Sequence, residues 1–312
     1  MTTHSHPHGP DREQTREQHR QPHHHQQHDR HGSGVGAPHG DVHRPHDESG
    51  WADMLDLDAE VFGSLLDELT DWVRRHGPQA PRRIADVGAG TGTGSLALAR
   101  RFEAAEIVAI DNSTVLLDRL RAAAASAGLT ADRLHVVQAD LEVAWPSIDA
   151  VDVAWAASSL HHFADPDHVL RDIHAALNPD GLLVVVEMDA LPRFLPDDLG
   201  IGRPGLEARC HEAAARAGGN AYPDWRPYLE RAGFAMVGQH TFTIEASPAP
   251  PVAVRYAYAL LSRFRAAFGE RLAADDLDTL DRLLANDGPD ALVDRRDLTM
   301  RSGRTAWAAR RP

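Results

Sequence analysis

The sequence predicts an α/β fold built on a mostly parallel sheet with helices on both faces. Three observations carry that expectation. First, the short run Ile84-Ala85-Asp86-Val87 ends in glycines at alternate positions, Gly88, Gly90, Gly92 and Gly94, and passes into the helix-forming Ser95-Leu96-Ala97-Leu98-Ala99. A strand, a glycine-rich turn and a helix open a nucleotide-binding unit, because glycine lets the backbone approach a ligand and the helix start offers free N–H groups to it. Second, strand-length apolar runs alternate with helical patterns as far as residue 188, as parallel strands joined by crossover helices require. Third, Leu182-Leu183-Val184-Val185-Val186 is apolar without interruption, which suits a strand covered on both faces.

Length and composition narrow the class. A chain of 312 residues can bury a sizeable core. Cys210 is the single cysteine, so no internal disulfide forms and a reducing, cytoplasmic setting is expected. No apolar run reaches the ~18 residues of a membrane helix, and the N-terminus has no apolar signal core. Residues 1–48 are rich in His, Gln, Pro and Gly and hold twelve of the twenty histidines. Such a segment buries too little apolar surface to offset its ordering entropy, so a disordered tail is expected. Its histidines would bind divalent metal only as any imidazole cluster does, and no structural metal site is predicted.

The folded part, residues 49–312, opens with a helix. Val61, Phe62, Leu65, Leu66, Leu69, Trp72 and Val73 recur at helical spacing, with Asp56 or Asp58 as cap and Gly77-Pro78 as the stop. After the glycine turn, Glu106–Ile110 reads as a second strand ending in Asp111. That acid lies 23 residues past Gly88, near where nucleotide folds place a carboxylate against ribose hydroxyls. Asn112 or Ser113 would cap the following helix, Thr114–Ser126. Leu134–Val137 is a third strand, followed by Gln138-Ala139-Asp140-Leu141. Val151–Trp155 is a fourth, followed by Ala156-Ala157-Ser158-Ser159-Leu160-His161-His162-Phe163. A helix over 166–177 ends at Asn178-Pro179-Asp180-Gly181, and the fifth strand follows. Phe234 to Ile244 and Arg304 to Ala309 supply a sixth and a seventh.

The pattern Asp86-x-Gly88-x-Gly90-x-Gly92 resembles the first motif of the class I S-adenosylmethionine-dependent methyltransferases. A dinucleotide G-x-G-x-x-G fits poorly, since Thr93 and Ser95 stand where the third glycine belongs in the first two frames. The run Leu160-His161-His162 and the Asn178-Pro179-Asp180-Gly181 strand resemble the small-molecule members, including the quinone C-methyltransferases. The resemblance implies a Rossmann-like, seven-stranded sheet whose last strand is antiparallel, and S-adenosyl-L-methionine as cofactor. It assigns the cofactor to Asp86, Gly88, Ala89, Gly90 and Gly92 in the turn. Asp111 and Asn112 would meet the ribose, Asp140 and Leu141 the adenine, and Ala156, ending the fourth strand, the methyl donor.

A sulfonium methyl is already activated, so alignment of the acceptor accounts for much of the chemistry. A base is needed where the acceptor is a hydroxyl or an enolisable carbon. His161 and His162 are the candidates, with Glu187 a weaker third. Helical insertions at about 189–222 and 247–296 are read as lids over the substrate, with a homodimer contact as their other use. Outside the tail the chain carries 27 basic and 39 acidic residues, which disfavours phosphate backbones. A small organic acceptor is therefore expected, with neither nucleic acid nor membrane as partner. A nicotinamide-dependent oxidoreductase and a non-catalytic cofactor-binding member of the fold are the alternatives.

Overall fold

The computed structural model describes residues 48–217 and 222–312. Of the His-rich segment only Glu48 falls among them, so the expected disorder of 1–47 lies outside the described residues. The elements run α1 (Glu48–His76), β1 (Arg83–Val87), α2 (Thr93–Arg101), β2 (Glu106–Asp111), α3 (Thr114–Ser126), β3 (Leu134–Gln138) and β4 (Val151–Ala157). There follow α4 (Pro166–Ala176), β5 (Leu177–Met188), α5 (Leu206–Arg216), α6 (Arg226–Arg231), β6 (Ala235–Ala246), α7 (Pro251–Phe268), α8 (Ala274–Leu283) and β7 (Met300–Arg310).

The seven strands form one sheet in the order β3-β2-β1-β4-β5-β7-β6. The pairs β1–β2, β1–β4, β2–β3 and β4–β5 are parallel. The strand β7 inserts between β5 and β6 and runs antiparallel to both. Order reverses at β1, where β2 leaves to one side and β4 lies on the other, so a crevice opens above the carboxyl ends of these strands.

Each face of the sheet has its own core. On one side Ile84, Ile107, Trp155 and Val184 pack with Phe62, Leu69 and Val73 of α1, Leu98 of α2, Leu117 and Leu120 of α3, and Leu261 and Phe264 of α7. On the other, Val87, Ile110, Ala154 and Val185 pack with Val169, Leu170 and Ile173 of α4 and Leu229 of α6. The alternation of strand residues between the faces follows from the period of two.

Two boundaries differ from the sequence expectation. The helix α1 starts at Glu48, so Asp56 and Asp58 lie inside it and cap nothing. Its apolar stripe continues backward through Met54 and Ala52, both buried, which carries the helix past the acids. The Asn178-Pro179-Asp180-Gly181 run bulges within β5 and does not precede it. Val151 pairs with Leu177 and Val153 with Leu182, and the four residues between them are taken up in a register shift with Asp180 at φ 63°.

Candidate active site

The turn after β1 is pinned by backbone bonds to β2: Gly88 and Ala89 both donate to the Ile110 carbonyl at 2.9 Å. Gly88 has φ 70°, and a Cβ there would lie 2.6 Å from Cβ of Ser159, so only glycine lets the turn pass the end of β4. Gly92, at φ 91°, starts α2 and would meet Leu120 of α3. The first N–H groups of α2 therefore open onto the turn, which suits a polar or anionic ligand group. Above it, Leu55 of α1 lies 3.3 Å from the Cβ position of Gly90, so the leading helix covers the turn.

Asp86 sits beneath this turn and is 2% exposed. Ser95 Oγ donates to its Oδ2 at 2.6 Å. Burial is the main cause that pushes its carboxyl up to about 7, aided by the charge of Asp111 and opposed by the Ser95 bonds. Asp86 thus supports the turn from below.

Asp111 occupies the end of β2 as expected. Its Oδ2 accepts from Gly90 N–H at 2.9 Å and its Oδ1 from Ser113 N–H at 2.9 Å. One carboxylate thereby joins the glycine turn to the start of α3, where Ser113 Oγ accepts from Leu116 N–H as the helix cap. A cleft runs on from there, lined by Asn112, Ser113, Gln138, Ala139 and Asp140. Asp140 is exposed and accepts from Glu142 N–H at 3.0 Å, while the side chain of Leu141 is buried in the core. The cleft brings Asn112 and Asp140 together beside Asp111. Ala156 lies elsewhere: it is fully buried inside β4 and pairs with Val185. The rim at that strand end is made by Ser158 and Ser159, because β4 remains in register as far as Ala157.

Past β4 the backbone turns at Ser158, with φ 51°, into a short 3₁₀ turn over Leu160–His162. Glu187, near the end of β5 and 3% exposed, organises this turn. Its Oε1 accepts from the N–H groups of Ser159 at 3.1 Å and Leu160 at 2.9 Å. Its Oε2 lies 2.6 Å from His161 Nδ1. A carboxylate at that nitrogen fixes the proton on Nδ1 and leaves Nε2 as the acceptor. His162 lies with its ring centroid 3.9 Å from that of His161, the rings tilted by 47°, and meets Trp51 of α1 edge-on at 6.0 Å. The sequence had ranked Glu187 behind the two histidines. The structure makes it the partner that orients one of them.

A further cluster had no signal in the sequence. Arg304 on β7 donates from Nη2 to both oxygens of Asp58 on α1, at 2.6 and 2.7 Å, and from Nη1 to Ser158 Oγ at 3.3 Å. Tyr256 of α7 donates its hydroxyl to Asp58 Oδ1 at 3.0 Å. Arg304 is 7% exposed and lies over the Phe62 ring at 4.1 Å. Asp58 and Arg304 are 246 residues apart, so no local pattern could announce the pair. Cys210 is buried with its thiol pushed up to about 12, chiefly by burial, and is no nucleophile. Among the described residues no group of three or more His, Cys, Asp or Glu side chains is placed to hold a metal, and no helix is long and apolar enough to cross a membrane.

The sheet order, the reversed β7 and the glycine turn below a polar cleft define the Rossmann-like fold of the class I methyltransferases. Residues 84–181 match the family described as a methyltransferase domain. The chain is 30% identical over 130 residues to a malonyl-[acyl-carrier protein] O-methyltransferase of Methylovorus sp. (strain MP688), covering 41% of this chain and 42% of the relative. It is 34% identical over 118 residues to a demethylmenaquinone methyltransferase of Thermus thermophilus, covering 37% and 51%. To a trans-aconitate 2-methyltransferase of Pseudomonas aeruginosa it is 29% identical over 160 residues, covering 46% and 53%. The chain thus spans about half the length or less of these relatives. A crystal structure of a protein described as a candidate methyltransferase from Bacillus halodurans superposes with a TM-score of 0.51 at 18% identity, over 78% of this chain and 98% of that one.

Proposed function

We propose that the protein transfers a methyl group from S-adenosyl-L-methionine to the hydroxyl oxygen of a small organic acceptor, with His161 as general base. The observation that carries this reading is the 2.6 Å contact of His161 Nδ1, in the turn past β4, with Glu187 near the end of β5. The relatives, by name, modify small molecules or a carrier-bound acyl group.

The residues present suit the cofactor. Gly88, Ala89, Gly90 and Gly92 would pass its backbone-facing side, Asp111 the ribose hydroxyls, and Asp140 with Leu141 N–H the adenine. A carboxylate at the end of β2 can accept from the two vicinal hydroxyls of a ribose. Asn112 would line the same end of the cleft. At the end of β4 the part assigned to Ala156 passes to Ser158 and Ser159, since Ala156 is enclosed. When bound, S-adenosyl-L-methionine supplies an electrophilic sulfonium methyl.

The chain's own residues do the rest. His161 Nε2 takes the acceptor's hydroxyl proton, and Glu187 holds Nδ1–H and stabilises the imidazolium that results. His162, between His161 and Trp51, positions the ring beside it. The covering helix α1 and the insertions at 189–222 and 247–296 would form the lid that excludes water. No nucleic-acid partner is required, and a cytoplasmic setting suits the donor.

His161→Ala should lower kcat by ~10²–10⁴-fold while donor affinity holds. Transfer from methyl-labelled donor to a panel of phenols and enols reads this directly. Near-full turnover in the variant would mean that alignment alone carries the reaction.

A further inference from the structure

We propose that Arg304 is a positioning residue for His161, holding the turn that carries the histidine and tying its geometry to the seating of α1. The inference rests on the methyl-transfer reading above and deepens it.

The starting point is the backbone of Ser158. Among the described residues only Ser158 and Asp180 combine a side chain with positive φ, at 51° and 63°. Asp180 belongs to the bulge in β5, whereas Ser158 leads into the turn over Leu160–His162. A left-handed residue with a Cβ is disfavoured and persists only where its surroundings fix it. Two bonds fix Ser158. Its N–H donates to the Val186 carbonyl at 2.7 Å, at the end of the β4–β5 ladder. Its Oγ accepts from Arg304 Nη1 at 3.3 Å.

The turn is thereby clamped from both faces of the sheet. Side chains alternate along β5 and β7, which places Arg304 with Ala306 on the α1 face and Glu187 with Val185 on the other. From its face Glu187 takes the N–H groups of Ser159 and Leu160 and meets His161 Nδ1. These three contacts converge on one carboxyl group, so they depend on the direction in which Ser158 sends the chain. Ser159 has little room to adjust, since its Cβ lies 2.6 Å from the Cβ position of Gly88.

Arg304 is itself fixed from α1. Its Nη2 donates to both oxygens of Asp58 at 2.6 and 2.7 Å, and the guanidinium lies over the Phe62 ring. The Tyr256 hydroxyl steadies Asp58 from α7. A planar guanidinium holds its nitrogens in fixed relation, so the group gripped by α1 is the one that aims Nη1 at Ser158. Three residues earlier on that helix Leu55 covers the Gly90 turn, and a further turn back Trp51 meets the His162 ring. Seating of α1 over the glycine turn and placement of the base thus share one side chain.

The test reads the Nδ1 proton of His161 by NMR in the isotope-labelled full chain with S-adenosylhomocysteine present. A proton held against a buried carboxylate exchanges slowly with solvent, and its signal is assigned by its loss in His161→Gln. Replacing Arg304 outright strands Asp58 and endangers the fold, so the substitutions flank it. Ser158→Ala leaves the Asp58–Arg304 pair in place and should speed exchange of that proton by ~10-fold or more. Asp58→Asn loosens the guanidinium from the helix and should speed it by ~3-fold or more. Ser158→Gly also lacks the hydroxyl but takes positive φ without strain, so its exchange should stay within ~3-fold of the wild type. Three results would each overturn the assignment and leave Arg304 as a brace for α1 alone. They are unchanged exchange in Ser158→Ala, a loss in Ser158→Gly equal to that in Ser158→Ala, and an Asp58→Asn protein whose β1 amides speed up as much as the His161 proton. Absence of a protected Nδ1 proton in the wild type would strike the base reading itself, and this inference with it.

Discussion

Asp86 lies under the glycine turn with its carboxyl raised to about 7, against 3.8 for an unburied aspartate. Between those values the native state holds a proton that the unfolded chain has lost. Asp86 therefore lowers stability as pH rises through that window, and the loss is complete above about 7. Across the window the effect is on the order of 4 kcal/mol at most. Asp86→Asn keeps an acceptor for Ser95 and removes the titration, so its stability relative to wild type should improve from pH 5 to pH 8. Urea unfolding at the two values measures this. A constant difference would show that Asp86 does not titrate there. Glu207, also raised to about 7 by burial, gives both proteins a background slope of the same sign. Asp111 acts at the same turn by another route, because it ties Gly90 to Ser113. Asp111→Ala removes that tie and, on the reading above, the ribose contact, so S-adenosylhomocysteine should bind ~10–100-fold more weakly. Unchanged affinity by calorimetry would remove Asp111 from the cofactor site.

At the scale of elements, α1 is the piece that joins the parts. Its Trp51, Leu55 and Asp58 recur at i, i+4 and i+7, and they reach His162, the Gly90 turn and Arg304 respectively. Asp58→Ala would leave the Arg304 guanidinium enclosed with no carboxylate bound to it. The expected loss is about 3–5 kcal/mol, the usual result of breaking a buried pair from one side. A loss under about 1 kcal/mol on urea unfolding would show that water reaches Arg304 through a loosened helix. This helix also shows what the sequence could and could not disclose. Its apolar stripe, the strands, and α3 with its Ser113 cap were legible because each is written within a few residues. The glycine turn was legible because a strand, alternate glycines and a helix follow one another within a few residues, and Asp111 because it ends the next strand. The roles of Asp58, Arg304 and Tyr256 were not, since they arise only when β7 returns beside β5 and under α1. Glu187 was visible as a residue but not as the partner of His161, because only the parallel pairing of β4 with β5 sets them side by side.

At the scale of the whole molecule, the sheet brings residues from β1 to β7 to one crevice, so a ligand there should stabilise the entire fold. A ligand that binds only the native state adds RT ln(1 + [L]/Kd), about 2.7 kcal/mol at a hundred times Kd. For a domain of this size each kcal/mol raises Tm by roughly 2–4 °C, so S-adenosylhomocysteine at that excess should raise it by ~5–11 °C. NAD and NADP also carry adenine and ribose and could meet Asp140 and Asp111. The chain fits the pyrophosphate-binding G-x-G-x-x-G turn poorly, since Thr93 and Ser95 stand where the third glycine belongs in the frames from Gly88 and Gly90, and the frame from Gly92 ends in Ala97 and starts late for the strand. At equal concentration the two dinucleotides should therefore shift Tm by far less. The Asp111→Ala variant should lose most of the S-adenosylhomocysteine shift while its unliganded Tm records any damage to the turn. A larger shift with NAD than with S-adenosylhomocysteine would reverse the cofactor reading, and with it the role given to His161.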